Sequence, residues 1–262
     1  MKKIFLIVAL VLSVSVASAW NKRADEGVVL LAEKHLTAEV KAMINKYLGD
    51  SYADDVCYLY DLEESSAASH SKNIHYLYLD KELQPMKVEG GNALTEIEKA
   101  MEVVRNHKSQ PDATVTTALR VVINLVCDIH NLSNVRIESV PHSQEDFTFV
   151  CYNGDIGRWK STSKVAWANL WNSYIQWHKG YSGNLWAEEL ELSLGGKRAE
   201  YSKGSLNDWA SEIGSVANQL YARINPEYVM TRREHNELEE LNCEMMARAG
   251  YRLAMLLNQV LK

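Results

Sequence analysis

The stretch Ala118–Asn134, reading ALRVVINLVCDIHNLSN, most narrows what this chain can fold into. Leu119, Val122, Ile123, Val126 and Ile129 recur at three- and four-residue steps, the spacing of a helix. Asn124 and Asp128 interrupt the run one turn apart, so they stand one above the other on a single face. A carboxylate among so many apolar neighbours needs a hydrogen-bonding partner or a metal. Asp128 is therefore either a satisfied core acid or a ligand.

The rest of the chain reads as mostly helical. Asp25–Lys46 predicts two helices meeting at Leu36-Thr37, and Pro111-Asp112 precedes the Asn124/Asp128 helix. Thr95-Glu96-Ile97-Glu98 is a capping-box pattern, opening a helix towards Asn106. Ser205-Leu206-Asn207-Asp208 is another, before a helix ending near Pro226. Thr231-Arg232-Arg233-Glu234 opens a long final helix with Leu238, Leu241, Met245, Ala249, Leu253, Leu256 and Val260 on one stripe. Thr162–Trp177 has helical spacing of aromatics. Ile74–Leu79 reads as extended, as does Asp146–Tyr152, which ends in the hairpin signal Asn153-Gly154. Loops are expected at Glu63–Lys72, Glu89–Asn92 and Gly195–Gly204. The expectation is an all-α single domain with a small β-hairpin.

Residues 1–19 have the pattern of a secretory signal peptide: Lys2 and Lys3, an apolar Ile4–Val16, then Ala17-Ser18-Ala19. Cleavage there leaves a domain of residues 20–262, beginning at Trp20, in a secreted or periplasmic compartment. No later segment reads as a membrane span. Losing Lys2 and Lys3 takes the formal charge from -6 to -8, a poor footprint for non-specific nucleic-acid binding unless bound cations supply positive charge. Cys57, Cys127, Cys151 and Cys243 allow three disulfide pairings in an exported chain. A buried free thiol is an equally good account of Cys127, inside its apolar helix. No P-loop, nucleophile elbow or zinc-knuckle spacing is present. His142 and His178 have no partners at ligand spacing.

Several short motifs resemble the S1/P1 nuclease family, the zinc-dependent single-strand nucleases. The helix motif H-x-x-G-D-x-H-Q-P-L-H of that family is matched by Asn124-Leu125-Val126-Cys127-Asp128-Ile129-His130-Asn131-Leu132-Ser133-Asn134. Family members begin their mature chain with Trp, whose amine and carbonyl bind zinc; Trp20 stands there. Asp25 stands at a His-ligand position. Ser51-Tyr52-Ala53-Asp54 resembles Ser-Trp-Ala-Asp, which implies Asp54 as a ligand, with Asp61 a weaker candidate. Cys57 replaces a phosphate-contacting Arg. Ile74-His75-Tyr76 resembles Trp-His-Tyr, which implies a ligand role for His75 and base stacking for Tyr76. His130 matches a His that is not a ligand. Ala166–Asn172 resembles Asn-Leu-His-x-x-Trp-Asp, with both ligands replaced, by Ala168 and Asn172. Ala249–Ala254 and Leu256–Asn258 resemble the closing helix.

The resemblance implies a helical phospholipase C/P1 nuclease-like fold and metal-dependent hydrolysis of single-stranded nucleic acid or 3′-nucleotides. Asp54 and Asp128 would be catalytic, with metal held by Trp20, Asp25, Asp54, His75 and Asp128. Four of nine ligand positions keep the family residue, and Asn124, Asn134, Ala168 and Asn172 are lost positions alongside the altered Asp25. At most two ions, zinc in the family, remain possible. The alternative is an inactive relative that holds a small ligand or a protein partner in the former cleft. Each residue also has a plain reading. Asp54 joins Asp50 and Asp55 in a solvated acidic turn, His75 is structural, and Tyr76 is core. Trp159, Trp167, Trp171, Tyr174, Trp177, Tyr181 and Trp186 fit core packing better than a stacking groove.

Overall fold

The computed structural model describes residues 20–57, 72–141, 147–156, 159–176 and 179–261. The signal-like segment, Asp61, His142, Trp177, His178 and nearly all of Glu63–Lys72 lie outside them. The protein is mostly helical. In chain order the helices are α1 (Lys22–Glu33), α2 (Ala38–Leu48), α3 (Ala93–Arg105), α4 (Asp112–His130), α5 (Trp167–Asn169), α6 (Gly183–Leu194), α7 (Arg198–Tyr201), α8 (Leu206–Arg223) and α9 (Arg232–Val260). The strands are β1 (Leu77–Leu79), β2 (Val135–Ile137), β3 (Thr148–Ile156), β4 (Trp159–Ala166) and β5 (Val229–Met230).

Local chemistry sets the helix starts. Asn21, Thr37 and Ser182 each accept from a backbone N–H three residues on, at the starts of α1, α2 and α6. Ser205/Asp208 and Thr231/Glu234 form complete capping boxes at α8 and α9. α3 starts before the expected Thr95: Asn92 Oδ1 accepts the Thr95 N–H at 2.9 Å, which makes Asn92 the cap. The expected loop Gly195–Gly204 instead contains a 3-10 turn, Gly195–Lys197, and then α7.

Three expectations for the sheet regions are corrected. Residues from Thr162 to Ala166 are strand, because Thr148 to Ile156 supplies an antiparallel partner (Thr148 opposite Ala166, Phe149 opposite Val165). Helical geometry begins only at Trp167. Asn153-Gly154 lies inside β3, where a register shift between Tyr152 and Gly154 marks a bulge, and is not the hairpin turn. β5 adds in parallel to β3. β1 and β2 form a separate parallel pair, preceded by a 3-10 turn Lys72–His75 that takes the first two residues, Ile74 and His75, of the stretch expected to be extended.

α4 is the central element. Every residue from Val122 to His130 is buried, and the helix packs against α3, α9, α2 and the 3-10 turn Tyr52–Cys57. It is the one described helix long and apolar enough to cross a membrane, but 67% of that stretch is buried inside the protein, as in a core helix, so it makes no clear membrane span. α1 packs on α6 and α9 at close range. A Cβ on Gly27 would collide with that of Trp186, and one on Gly250 would lie 2.8 Å from Leu31 Cδ2. Trp167, Trp171 and Trp186 are core residues, as their spacing predicts. Cys151 and Cys243 are in no disulfide among the described residues.

Candidate functional site

The C-terminal end of α4 and the start of α1 meet in a buried polar cluster. Asp25, His75, Asp128 and Asn134 are each at most 2% exposed. Parallel pairing of β1 and β2 opposes Leu77 to Val135. It thereby brings His75 and Asn134, which just precede these strands, to the same end of the sheet. There His75 Nδ1 lies 2.7 Å from Asp128 Oδ2, and Asn134 Nδ2 donates to Asp128 Oδ1 at 3.3 Å. The Trp20 backbone N–H, just outside α1, donates to both Asp25 carboxylate oxygens, at 3.3 and 3.4 Å. Burial holds the Asp25 carboxyl well above the usual range. The Asp128 charge adds to this, and the Trp20 N–H opposes it.

A chain of amides extends the cluster. Trp20 Nε1 donates to Asn242 Oδ1 at 2.7 Å, and Asn242 Nδ2 to Gln176 Oε1 at 3.2 Å. Gln176 Nε2 donates to the Asn172 carbonyl, and Asn131 Nδ2 to Asn172 Oδ1 at 3.1 Å. Asn172 sits in a π-helical turn, Leu170–Tyr174, closed by the Ile175 N–H to the Leu170 carbonyl. Asn124 Nδ2 donates to the Val56 carbonyl, and its buried Oδ1 has no partner among the described residues. Ala168 is half-buried on α5.

The structure thus brings Trp20, Asp25, His75, Asp128 and Asn134 together, with Asn172 two amides further along. It does not bring in Asp54, whose side chain is 68% exposed and faces Lys22 at 3.9 Å. Its neighbour Asp55 turns to Arg120 instead, at 2.9 Å. Tyr76 is half-buried with the Arg136 guanidinium 4.0 Å over its ring, so that face is already covered. Among the described residues, no three His, Cys, Asp or Glu side chains stand in a metal-binding group. The Asn134 amide and the Trp20 N–H are directed at the two carboxylates.

His130 turns away into a second network. Its Nδ1 is 2.8 Å from the Val126 carbonyl and its Nε2 is 3.1 Å from Arg252 Nη1. With Arg252 donating to Nε2, Nδ1 carries the proton and the ring is neutral. Burial, then the Arg252 charge, holds its pKa well below the usual value. Arg252 also donates to the Tyr201 carbonyl and to Glu212, and burial lowers it to about 10. Sequence reasoning missed Asn131, Gln176, Asn242 and Arg252. Asn242 and Arg252 left a trace, each being a polar residue beside the apolar stripe of α9; Gln176 left none.

No protein-family model matches the chain, and no curated protein is detectably similar to it. Fold and site define a mostly helical protein organised around a buried acid and amide cluster.

Proposed function

We propose that this is an exported S1/P1 nuclease-like protein that has exchanged metal-dependent phosphodiester hydrolysis for a binding role. The observation that carries the reading is the closure of Asp128 by His75 and Asn134 beside the Trp20–Asp25 contact. Residues from separate stretches, all matching family ligand positions, meet at one point. They meet as hydrogen-bond partners, and two substituted positions, Asn134 and Asn172, supply amides. Neutral amides are poor zinc ligands but good partners for a buried carboxylate.

Charge balance supports the same reading. Two neighbouring buried carboxylates require a neutralising group. Signal cleavage before Trp20 would turn its backbone nitrogen into an α-ammonium, 3.3 Å from Asp25. That cation would do for the acids what a metal does in the family. Hydrolysis lacks its parts: Asp54 faces solvent, the phosphate-contacting position is Cys57, and Arg136 covers the Tyr76 face a base would stack on. The scaffold then acts by holding a ligand or partner.

The test is metal analysis and turnover on the chain beginning at Trp20, purified without chelator or amino-terminal tag. The expected result is no stoichiometric metal after incubation with zinc or manganese. No hydrolysis of single-stranded DNA or 3′-nucleotides above that of Asp128→Ala is expected either. One or two equivalents of metal, with turnover abolished in Asp128→Ala, would overturn the proposal and restore the phosphodiesterase.

A further inference from the structure

The outer face of α6 carries Leu185 and Leu192, which are 52% and 86% exposed. Seven residues apart on a helix, they form one stripe about 10 Å long. The opposite side of α6 is committed to the core through Trp186, Ala187 and Leu190. Glu188 borders the stripe on one flank, and Glu189 with Ser193 on the other. Beyond Glu189 and Ser193 lies a groove of about 540 Å³, with Glu237, Glu240, Leu241 and Glu244 of α9 across it. The two cations of the groove are engaged: Lys179 pairs with Glu239 at 3.0 Å, and Lys197 lies over the Tyr201 ring. Glu188, Glu189 and Glu240 are exposed and make no ion pair among the described residues.

This surface is separate from the buried cluster. Asn242 turns inward to Trp20. Glu240 and Glu244 lie two residues to either side, about 200° around the helix, and so point the other way.

We propose that the outer face of α6, with the adjoining groove, docks a cationic amphipathic helix of a partner protein. The apolar ridge of that helix would lie on Leu185 and Leu192, and its Lys or Arg residues would face Glu188, Glu189 and Glu240. Charge complementarity selects this occupant. An anionic membrane surface would meet repulsion from the same carboxylates. A second copy of this chain would set carboxylate against carboxylate.

The experiment is fluorescence anisotropy with a labelled four-turn peptide of Leu at i, i+3, i+4 and i+7 and Lys elsewhere. Controls are a scrambled peptide of the same composition and one with Glu for Lys. The parent binds the first peptide and neither control. Leu185→Ser/Leu192→Ser and Glu189→Lys/Glu240→Lys, exposed changes that leave the melting temperature near that of the parent, each weaken binding about tenfold or more. Equal binding of the scrambled peptide, or parental affinity in either variant, would overturn the proposal. So would concentration-dependent dimerisation lost in Leu185→Ser/Leu192→Ser, which would give the stripe to a second copy.

Discussion

Asp25 shows how much one residue depends on the chemical state of another. While Trp20 is an ordinary peptide unit, Asp25 is a buried acid beside Asp128, relieved among the described residues by the Trp20 backbone N–H. Were the chain cut before Trp20, Asp25 would face a cation. Asp25→Asn is therefore expected to change sign with processing. In a chain with one residue retained before Trp20 it raises the melting temperature, because a buried charge is removed. In the chain starting at Trp20 it lowers stability, by about 1–3 kcal/mol, because the ammonium loses its partner. Thermal melts of the four proteins check this, and the same sign in both backgrounds would contradict it. His130 gives a pH dependence. Its folded-state pKa lies below the unfolded value of about 6.5, so below that pH the unfolded chain binds more protons. Stability is expected to fall as pH drops from 7 to 5. His130→Gln keeps an acceptor and a donor without the titration, and its urea midpoint should change less over that range.

Among the elements, those with local causes were legible in the sequence. The capping boxes at Ser205 and Thr231 are closed within four residues, and both helices start where the pattern puts them. The stretch from Thr162 to Ala166 was not legible as strand, because its partner lies at Thr148 to Ile156 and tertiary pairing overrides a helical spacing of aromatics. Asn153-Gly154 misleads for a related reason: the dipeptide permits a turn, but also a bulge. Close helix approach was invisible too, since nothing near Gly27 in the chain names Trp186 as its neighbour. Gly27→Ala forces α1 and α6 apart, at an expected cost of about 1–3 kcal/mol despite the better helix propensity of Ala. Chemical denaturation reads this directly, and a more stable variant would show that the α1–α6 contact yields freely.

For the whole molecule, periodicity marked Asp128 as a buried polar residue but said nothing of what surrounds it. The resemblance singled out Trp20, Asp25, His75 and Asp128 as metal ligands; the structure places them in one buried cluster, joined by hydrogen bonds. The resemblance also pointed to Asp54, which faces Lys22 and water. Spacing alone could not find Gln176 and Asn242, because their partners are 66 and 222 residues away in sequence. Removing α9 by stopping the chain after Thr231 is expected to abolish the cooperative melt. It would take away Asn242, Arg252 and the buried Leu238, Met245, Leu253 and Leu256 together. A sharp calorimetric transition in the truncated chain would contradict this.

The same helix has a consequence for the order of events during synthesis. The first described residue and the last helix are joined by the Trp20–Asn242 bond and by Leu31 lying against Gly250. Contacts of such sequence separation close late and slow folding. A chain leaving the ribosome amino terminus first cannot close this part of its core until α9 has emerged, so the Trp20 side of α1 waits for a partner made more than two hundred residues later.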